Sequence, residues 1–390
     1  MSKAIQFDGR PVWAEVSIAA ILHNLRVIRR QIGPNRKVLA VVKANAYGLG
    51  AVPVTKALAR AGTEWFGVTC SNEGIELRDA GIRKRILVLT GFWSGEEEVL
   101  LRYDLTPTVT RLDQLKTLNR LAARIARRKR NYRARFHLKI NTGMNRLGID
   151  PEEVDAFARE LAECPNVKLE GTYTHFASSE DFTSDQTVEQ EKKFLAALDR
   201  LRALGVSPGM IHLANSGAIC ARPRTWADIV RPGAILYGYH QGFTPPEKKL
   251  EVMAKMDLRP CLSLRARIVS LRKIAPGQAV GYAARFVAKR ASRIAVIAAG
   301  YADGLVRQRT NRGSVLLRGH RVPLVGTISM DLAAIDATEV PDAAIGDIVT
   351  IYGKDHGDCL EVSDVAREIN TVTSDLLCAI GRRVRRFYVL

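Results

Sequence analysis

Between about residues 36 and 238, short apolar, β-branched runs alternate with longer amphipathic stretches, which restricts the chain to a few α/β architectures. The pattern predicts strands at Val38–Val42, Phe66–Thr69, Ile86–Thr90, Thr106–Val109, Phe136–Ile140, Gly171–His175, Met210–Leu213 and Ile229–Tyr237. Helical patterns fall between most of them, at Val52–Ala61, Asn72–Ala80, Arg111–Arg128, Pro151–Glu163 and Asp185–Leu204. Asp150 before Pro151 is a good helix start, an N-cap followed by proline in the first turn. Eight strand signals alternating with helices predict a parallel (β/α)8 barrel of the TIM type. An open doubly wound sheet is the alternative, but no glycine fingerprint supports it.

After about residue 256 the texture changes. Leu262–Lys273, Ala295–Ala299, Ser314–Leu317, Val322–Thr327 and Asp347–Tyr352 read as short strands divided by turn residues, with helical signal only at Val362–Glu368. The expected organisation is a barrel over residues 1–255 and a mostly β domain over 256–390. Val12–Ser17 also reads as a strand and is placed to pair with the second domain.

With 47% hydrophobic and 25% charged residues, the 390-residue chain has the balance of a globular protein with large cores. Met1–Gln6 lacks the apolar stretch of a signal peptide, and charged residues interrupt every run long enough to cross a bilayer. Cys70, Cys164, Cys220, Cys261, Cys359 and Cys378 are scattered, as free thiols in a reducing compartment are, and form neither a disulfide framework nor a zinc site. A cytoplasmic protein with no metal is expected. The net charge of +19 gathers at Arg124–Arg135 and Arg382–Arg386, without the interleaved aromatics of a nucleic-acid module. It reads as a basic surface, and neither nucleic acid nor membrane is an expected partner.

Chemistry enters at Lys43. The run Val38–Val42 is apolar throughout, as in strands buried on both faces of a parallel sheet, and it ends in a lysine. C-terminal strand ends of a barrel face its active site, where desolvation frees an amine for Schiff-base formation. Lysines also snorkel to barrel mouths, so the position alone is ambiguous. The same rule collects Lys139 and Arg146 around Asn141–Asn145, His175 after Thr174, Ser216 after Asn215, and Arg231 before Gly233 and Ala234. Ser216 with the Gly233–Ala234 backbone suits a phosphate. A lysine, a phosphate cradle and a cationic residue on one barrel face imply a phosphorylated aldehyde as cofactor.

Val41-Val42-Lys43-Ala44-Asn45-Ala46-Tyr47-Gly48 resembles the cofactor-lysine signature of the alanine racemase family. Thr142–Gly148, Thr174-His175-Phe176, Ala214-Asn215-Ser216, Val230-Arg231-Pro232-Gly233, Val280-Gly281-Tyr282, Gly300–Gly304 and Gly326–Asp331 follow in that family's order, so the resemblance spans nearly the whole chain. It implies interconversion of L- and D-alanine, for peptidoglycan, with pyridoxal 5'-phosphate carried by Lys43. Lys43 and Tyr282 would be the two catalytic bases on opposite faces of the substrate, Tyr282 coming from the other subunit of a homodimer with shared active sites. The family role of His175 is to link that tyrosine to Arg231, and that of Arg231 is to face the cofactor's ring nitrogen. Arg146 and the Met330 backbone match substrate contacts, and Tyr47, Ser216, Gly233 and Ala234 match the phosphate-binding set. Lys139 resembles a lysine that is carbamylated in many members. The sequence departs from the pattern at Asn141, often aspartate in relatives, and at Arg382, which falls where a phosphate-contacting tyrosine stands. A serine, lysine or broad-specificity racemase of the same fold is the competing reading. A cofactor carrier without turnover is disfavoured by Tyr282, which a carrier does not need.

Overall fold

The computed structural model describes residues 9–240 and 242–390, so the reading of Met1–Gln6 lies outside the described residues. Val12–Ser17 forms β1, and eight further strands follow: β2 Lys37–Val41, β3 Trp65–Val68, β4 Arg85–Val88, β5 Thr106–Val109, β6 Ala134–Lys139, β7 Val167–Tyr173, β8 Met210–His212 and β9 Ile229–Val230. β2 to β9 make one parallel sheet in the order β8-β7-β6-β5-β4-β3-β2-β9. The apolar residues of β2 are buried, as the sequence pattern requires of a strand covered on both faces. The sheet is nearly closed. At its seam the Asp228 N–H donates to the Ile211 carbonyl at 3.0 Å, and the Arg231 N–H donates to the Ala214 carbonyl at 3.0 Å.

The predicted strands lie within a few residues of those observed, apart from the last. Instead of one strand over Ile229–Tyr237, β9 stops at Val230 and a 3-10 turn covers Ala234–Tyr237. Pro232 has no N–H for a ladder, and the turn starts from Gly233. The short helix Glu97–Arg102 escaped notice because six residues are too few to show a period.

The chain divides into two compact units, but not at 255/256. The barrel unit comprises Leu22–Ala46 and Ala51–Arg259; the other comprises the chain up to Ile21, Tyr47–Gly50 and Pro260–Leu390. In this second unit β1 pairs antiparallel with β10 (Leu262–Ile274), Val12 opposite Ala266, and parallel with Arg385–Val389, Trp13 opposite Arg385. The first strand therefore belongs to the β unit, where it buries Val12, Trp13 and Val16. The nine-stranded sheet continues from β10 through Ser292–Ile297, Ala333–Asp336, His320–Val325, Ser314–Leu317 and Ile348–Asp355 to Asp358–Leu360.

Part of the C-terminal basic run is spent inside this unit. Arg383 binds Asp303 and Asp331, each at 2.7 Å, and Arg386 donates to the carbonyls of Gly48, Ile380, Gly381 and Val384. These arginines hold the fold together, which corrects their reading as plain basic surface. Among the described residues no helix is long and apolar enough to cross a membrane.

Candidate active site

Lys43 follows the end of β2 and is half-buried. The chain then turns left-handed: Ala44, Asn45, Ala46 and Tyr47 have φ of 51°, 55°, 52° and 57°. Each non-glycine residue held in that region costs about 1–2 kcal/mol, so the turn has to be imposed by its surroundings. The Ala46 N–H reaches the Val42 carbonyl at 2.8 Å, and Asn45 Oδ1 accepts from the Ala51 N–H at 2.7 Å. Glu73 braces the turn against β3, one oxygen accepting from the Ala44 N–H at 2.6 Å and the other from the Thr69 N–H at 2.7 Å. Tyr237 donates to the Val41 carbonyl at 2.8 Å. The lysine is aimed by its backbone.

Lys139 ends β6, buried, with its ammonium 5.7 Å from the centre of the Tyr173 ring. Burial pushes its amine down to about 7, helped by the positive charges of Arg146, Arg231 and Lys43. His175 is held well below the usual imidazole range by burial first, then by Arg231, Lys139, Arg146 and Lys43. The barrel mouth thus gathers two lysines and two arginines about a histidine that burial and their charges keep neutral. Arg146 itself is exposed, on a loop that Asn141 organises: its amide donates to Asn145 Oδ1 (3.1 Å) and Asp150 Oδ1 (2.8 Å), while its oxygen accepts from the Asn145 N–H (2.9 Å). An aspartate here could not make the two donations.

Arg231 is buried, and nearly all its donors are engaged. Nη1 donates to His212 Nδ1 at 3.0 Å and to the His212 carbonyl at 2.9 Å. Nη2 faces the Thr174 carbonyl at 2.8 Å, the Leu213 carbonyl at 3.0 Å and His175 Nδ1 at 3.3 Å. Only the Nε donor is left for a ligand. Because a guanidinium cannot accept, His175 Nδ1 is the acceptor and its proton sits on Nε2.

On the same unit the Ser216 hydroxyl accepts from the Gly233 N–H at 3.0 Å. Ser216 opens the helix Ser216–Ala221, capped by Asn215 through the Ala218 N–H, and Ala234 opens the following 3-10 turn. First-turn N–H groups have no intrahelical partner, so two such ends and a hydroxyl converge by the Ser216–Gly233 link.

The remaining predicted residues belong to the β unit. Burial raises the Tyr47 phenol to about 12, with Cys378 adding to the effect. Arg382 is exposed. Tyr282 lies in a tight loop between Ala279–Val280 and Phe286–Val287; its side chain is 72% exposed, and its carbonyl accepts from the Thr327 hydroxyl at 2.9 Å. Met330 has an exposed side chain but a fixed backbone, its carbonyl accepting from the Ala302 N–H at 3.1 Å. Gly300 permits that fit, since a Cβ there would lie 2.4 Å from the Met330 oxygen.

Residues 16–241 match the family model for the alanine racemase N-terminal domain, and residues 261–388 match that for the C-terminal domain. The chain belongs to the alanine racemase family. It is an isomerase, and alanine racemisation is its reaction. The alanine racemase of Halothermothrix orenii is 38% identical, over 97% of each chain. Among solved structures, the alanine racemase of Bacillus anthracis with bound L-Ala-P is 30% identical, with a TM-score of 0.88 over 98% of this chain and 96% of that one. That of Bartonella henselae, with covalently bound pyridoxal phosphate, is also 30% identical, with a TM-score of 0.84 over 97% of this chain and 99% of that one.

Several residues of this racemase site went unremarked in the sequence. Glu73 sets the lysine turn. Gln190 ties two strand ends, donating to the Thr142 hydroxyl at 3.2 Å and the His175 carbonyl at 3.0 Å. Tyr173 stacks on His212 with ring centres 4.5 Å apart. A signal for part of this was present: His137 and Lys139, like Gly171, Tyr173 and His175, recur at strand period two, which marks one barrel-facing row.

Three buried imidazoles make stability depend on pH. Burial lowers His137 to about 3 and holds His175 and His212 well below the ordinary value. Unfolded histidines titrate near about 6.5. Below that pH the unfolded chain binds more protons than the folded one, so stability is complete above it and falls as pH drops. At pH 5.5 unfolding should take up close to one proton for each of these rings, and for His240, which burial and then Lys249 lower to about 4. The urea midpoint is expected to fall clearly between pH 7.5 and 5.5, and an unchanged midpoint would contradict neutral imidazoles.

Proposed function

We propose that this racemase works as a homodimer, with pyridoxal 5'-phosphate held on Lys43 and with Lys43 and Tyr282 of the partner subunit as the two bases. The observation that carries the reading is the gathering of Lys43, Lys139, Arg146 and Arg231 about a neutral His175. Such a mouth suits a ligand with several negative charges. The chemistry of the donors fits the cofactor: Ser216 with the Gly233 and Ala234 backbone for its phosphate, the free Nε of Arg231 for its ring nitrogen, and an amine for its aldehyde. Tyr47 would add a hydroxyl to the phosphate set.

Held by Lys43 and the phosphate set, pyridoxal 5'-phosphate would supply an electron sink for the pair left at the substrate's α-carbon. Lys43 Nζ accepts the α-proton on one face, and the partner's Tyr282 delivers one from the other through its phenol oxygen. His175, with its proton on Nε2, can donate to that oxygen and stabilise it deprotonated. Arg146 and the Met330 backbone hold the substrate carboxylate. Arg231 Nε would meet the ring nitrogen with a charged donor that gives up no proton, a setting that would favour return of a proton to the α-carbon. The exposure of Tyr282 in its own chain supports a role in the partner's site. The setting of the reaction is the cytoplasm, and its product is D-alanine for peptidoglycan.

Lys139 is proposed to be carbamylated. Its amine, lowered to about 7, is partly uncharged at neutral pH and can add to carbon dioxide with loss of a proton. The carbamate would set one negative charge among the surrounding cations, facing Arg146. Carbon-13 NMR of protein equilibrated with labelled bicarbonate should show a carbamate signal that Lys139→Ala lacks; its absence from the parent protein would remove the idea.

The test of function is an absorbance spectrum of the purified protein together with a racemisation assay on L- and D-alanine. A cofactor band with turnover supports the reading. A band without alanine turnover sends the search to serine and lysine.

A further inference from the structure

Behind Arg231 the barrel interior holds two imidazoles that the reaction does not use directly. His212 Nδ1 accepts from Arg231 Nη1, so the His212 proton lies on Nε2. That nitrogen is 2.9 Å from His137 Nδ1, which must then be the acceptor, leaving the His137 proton on its own Nε2. His137 Nε2 faces Glu170 Oε2 at 3.9 Å, and both atoms are buried without a hydrogen bond. The other oxygen of Glu170 accepts from Arg85 at 2.6 Å, with Arg135 at 3.6 Å.

The backbone is shaped for this row. Phe136 pairs with Leu169 but His137 with Gly171, so Glu170 is the extra residue of a bulge. A Cβ on Gly171 would lie 2.7 Å from His137 Cε1 and 2.8 Å from Nδ1, so only glycine leaves room for the ring. Tyr173 stacks on His212 and donates to the Leu89 carbonyl at 2.8 Å, which fixes the second ring.

We propose that Glu170 is a positioning residue for Arg231, acting through the buried relay of His137 and His212. Every N–H in the row points from the guanidinium toward the carboxylate. Each neutral ring presents its lone pair to the positive end and its proton to the negative end, and aligned hydrogen bonds of this kind polarise one another. The row fixes the plane of Arg231 and leaves Nε free to face the site. This role rests on the proposed function only in that Arg231 meets the cofactor's ring nitrogen.

The test begins with the whole protein labelled with nitrogen-15 at histidine. His137 and His212 are both expected as neutral rings protonated at Nε2, with Nδ1 accepting, across roughly pH 6 to 9. Either ring protonated at Nδ1 overturns the proposal, whether or not the protein racemises alanine. Kinetics supply the second arm. Glu170→Gln removes the charge at constant shape and is expected to lower kcat about fivefold, with KM nearly unchanged. His137→Asn keeps an acceptor for His212 but removes the N–H that faces Glu170. It should cost a similar factor, and the double variant should be no worse than His137→Asn alone. Losses that multiply, or a Glu170→Gln kcat equal to the parent's, would overturn the relay. A brace with only a structural role would lower stability without this split or this non-additivity.

Discussion

Lys43→Ala is expected to lose the cofactor absorbance band and to racemise alanine at least about 10³-fold more slowly than the parent. The lysine has two duties on the proposed reading, attachment of the cofactor and proton transfer on one face, and alanine can do neither. No neighbour can replace it. Lys139 is anchored to β6 over the Tyr173 ring, and Arg146 offers a guanidinium of donors with no amine to form a Schiff base. The fold should survive, because the left-handed turn is held by Glu73, Asn45 and Val42 through backbone atoms that the substitution leaves in place. The thermal midpoint should fall toward that of the cofactor-free parent and no further, since the variant loses a ligand that stabilises the folded state. An undiminished cofactor band in the variant would show that another group carries the cofactor.

Tyr282→Phe deletes a single oxygen from a side chain that is exposed within its own subunit, so the fold and the cofactor band should both persist. Racemisation should fall about 10³-fold in both directions, since interconversion needs a proton removed from one face and delivered to the other. A one-sided activity should remain. In deuterated water Lys43 still exchanges the α-proton of the enantiomer presented to its face, and the other enantiomer keeps its proton. If Tyr282 serves the partner's site, mixing Lys43→Ala and Tyr282→Phe subunits creates heterodimers with one intact site each. After full exchange about a quarter of parental activity should return, since half of the dimers are mixed and each has one working site of two. Exchange of both enantiomers at parental rates would remove Tyr282 as a base, and failure to regain activity on mixing would place both bases in one subunit.

Much of the architecture was legible because burial dictates composition. A strand covered on both faces has to be largely apolar, and β2, β3 and β4 announced themselves that way, while β5 to β8 mix polar residues with the apolar ones and showed through their β-branched content and spacing. β9 did not, because Pro232 and Gly233 cut the ladder after two residues while the side chains beyond remain apolar and buried. β1 read as a strand placed to pair with the second domain, and it does pair with β10, but the register, Val12 opposite Ala266, joins residues too far apart for any local pattern to encode. At the site, residues at strand ends could be collected by rule, as with Lys43, Lys139, His175 and Arg231. Their supports could not. Glu73 and Gln190 lie on helix faces where a polar residue is unremarkable until its partner is known, and a left-handed turn through Ala44, Asn45 and Ala46 contains no glycine to betray it. The His137 relay was hidden for another reason: one ring needs the absent side chain of Gly171, a dependence visible only in three dimensions.

The seam between β8 and β9 ties the history of this protein to its chemistry. Few backbone bonds close the barrel there, and the guanidinium of Arg231 adds grips on the carbonyls of Thr174, His212 and Leu213. The residue proposed to tune the cofactor is therefore also a staple of the scaffold. In a lineage that no longer needed D-alanine, Lys43 would be free to drift, since little else leans on its side chain. Arg231 would be retained by selection for a folded barrel long after its catalytic use had gone. A descendant that kept the arginine but lost the lysine would be a fossil of this enzyme, and its arginine would testify to the fold rather than to the reaction.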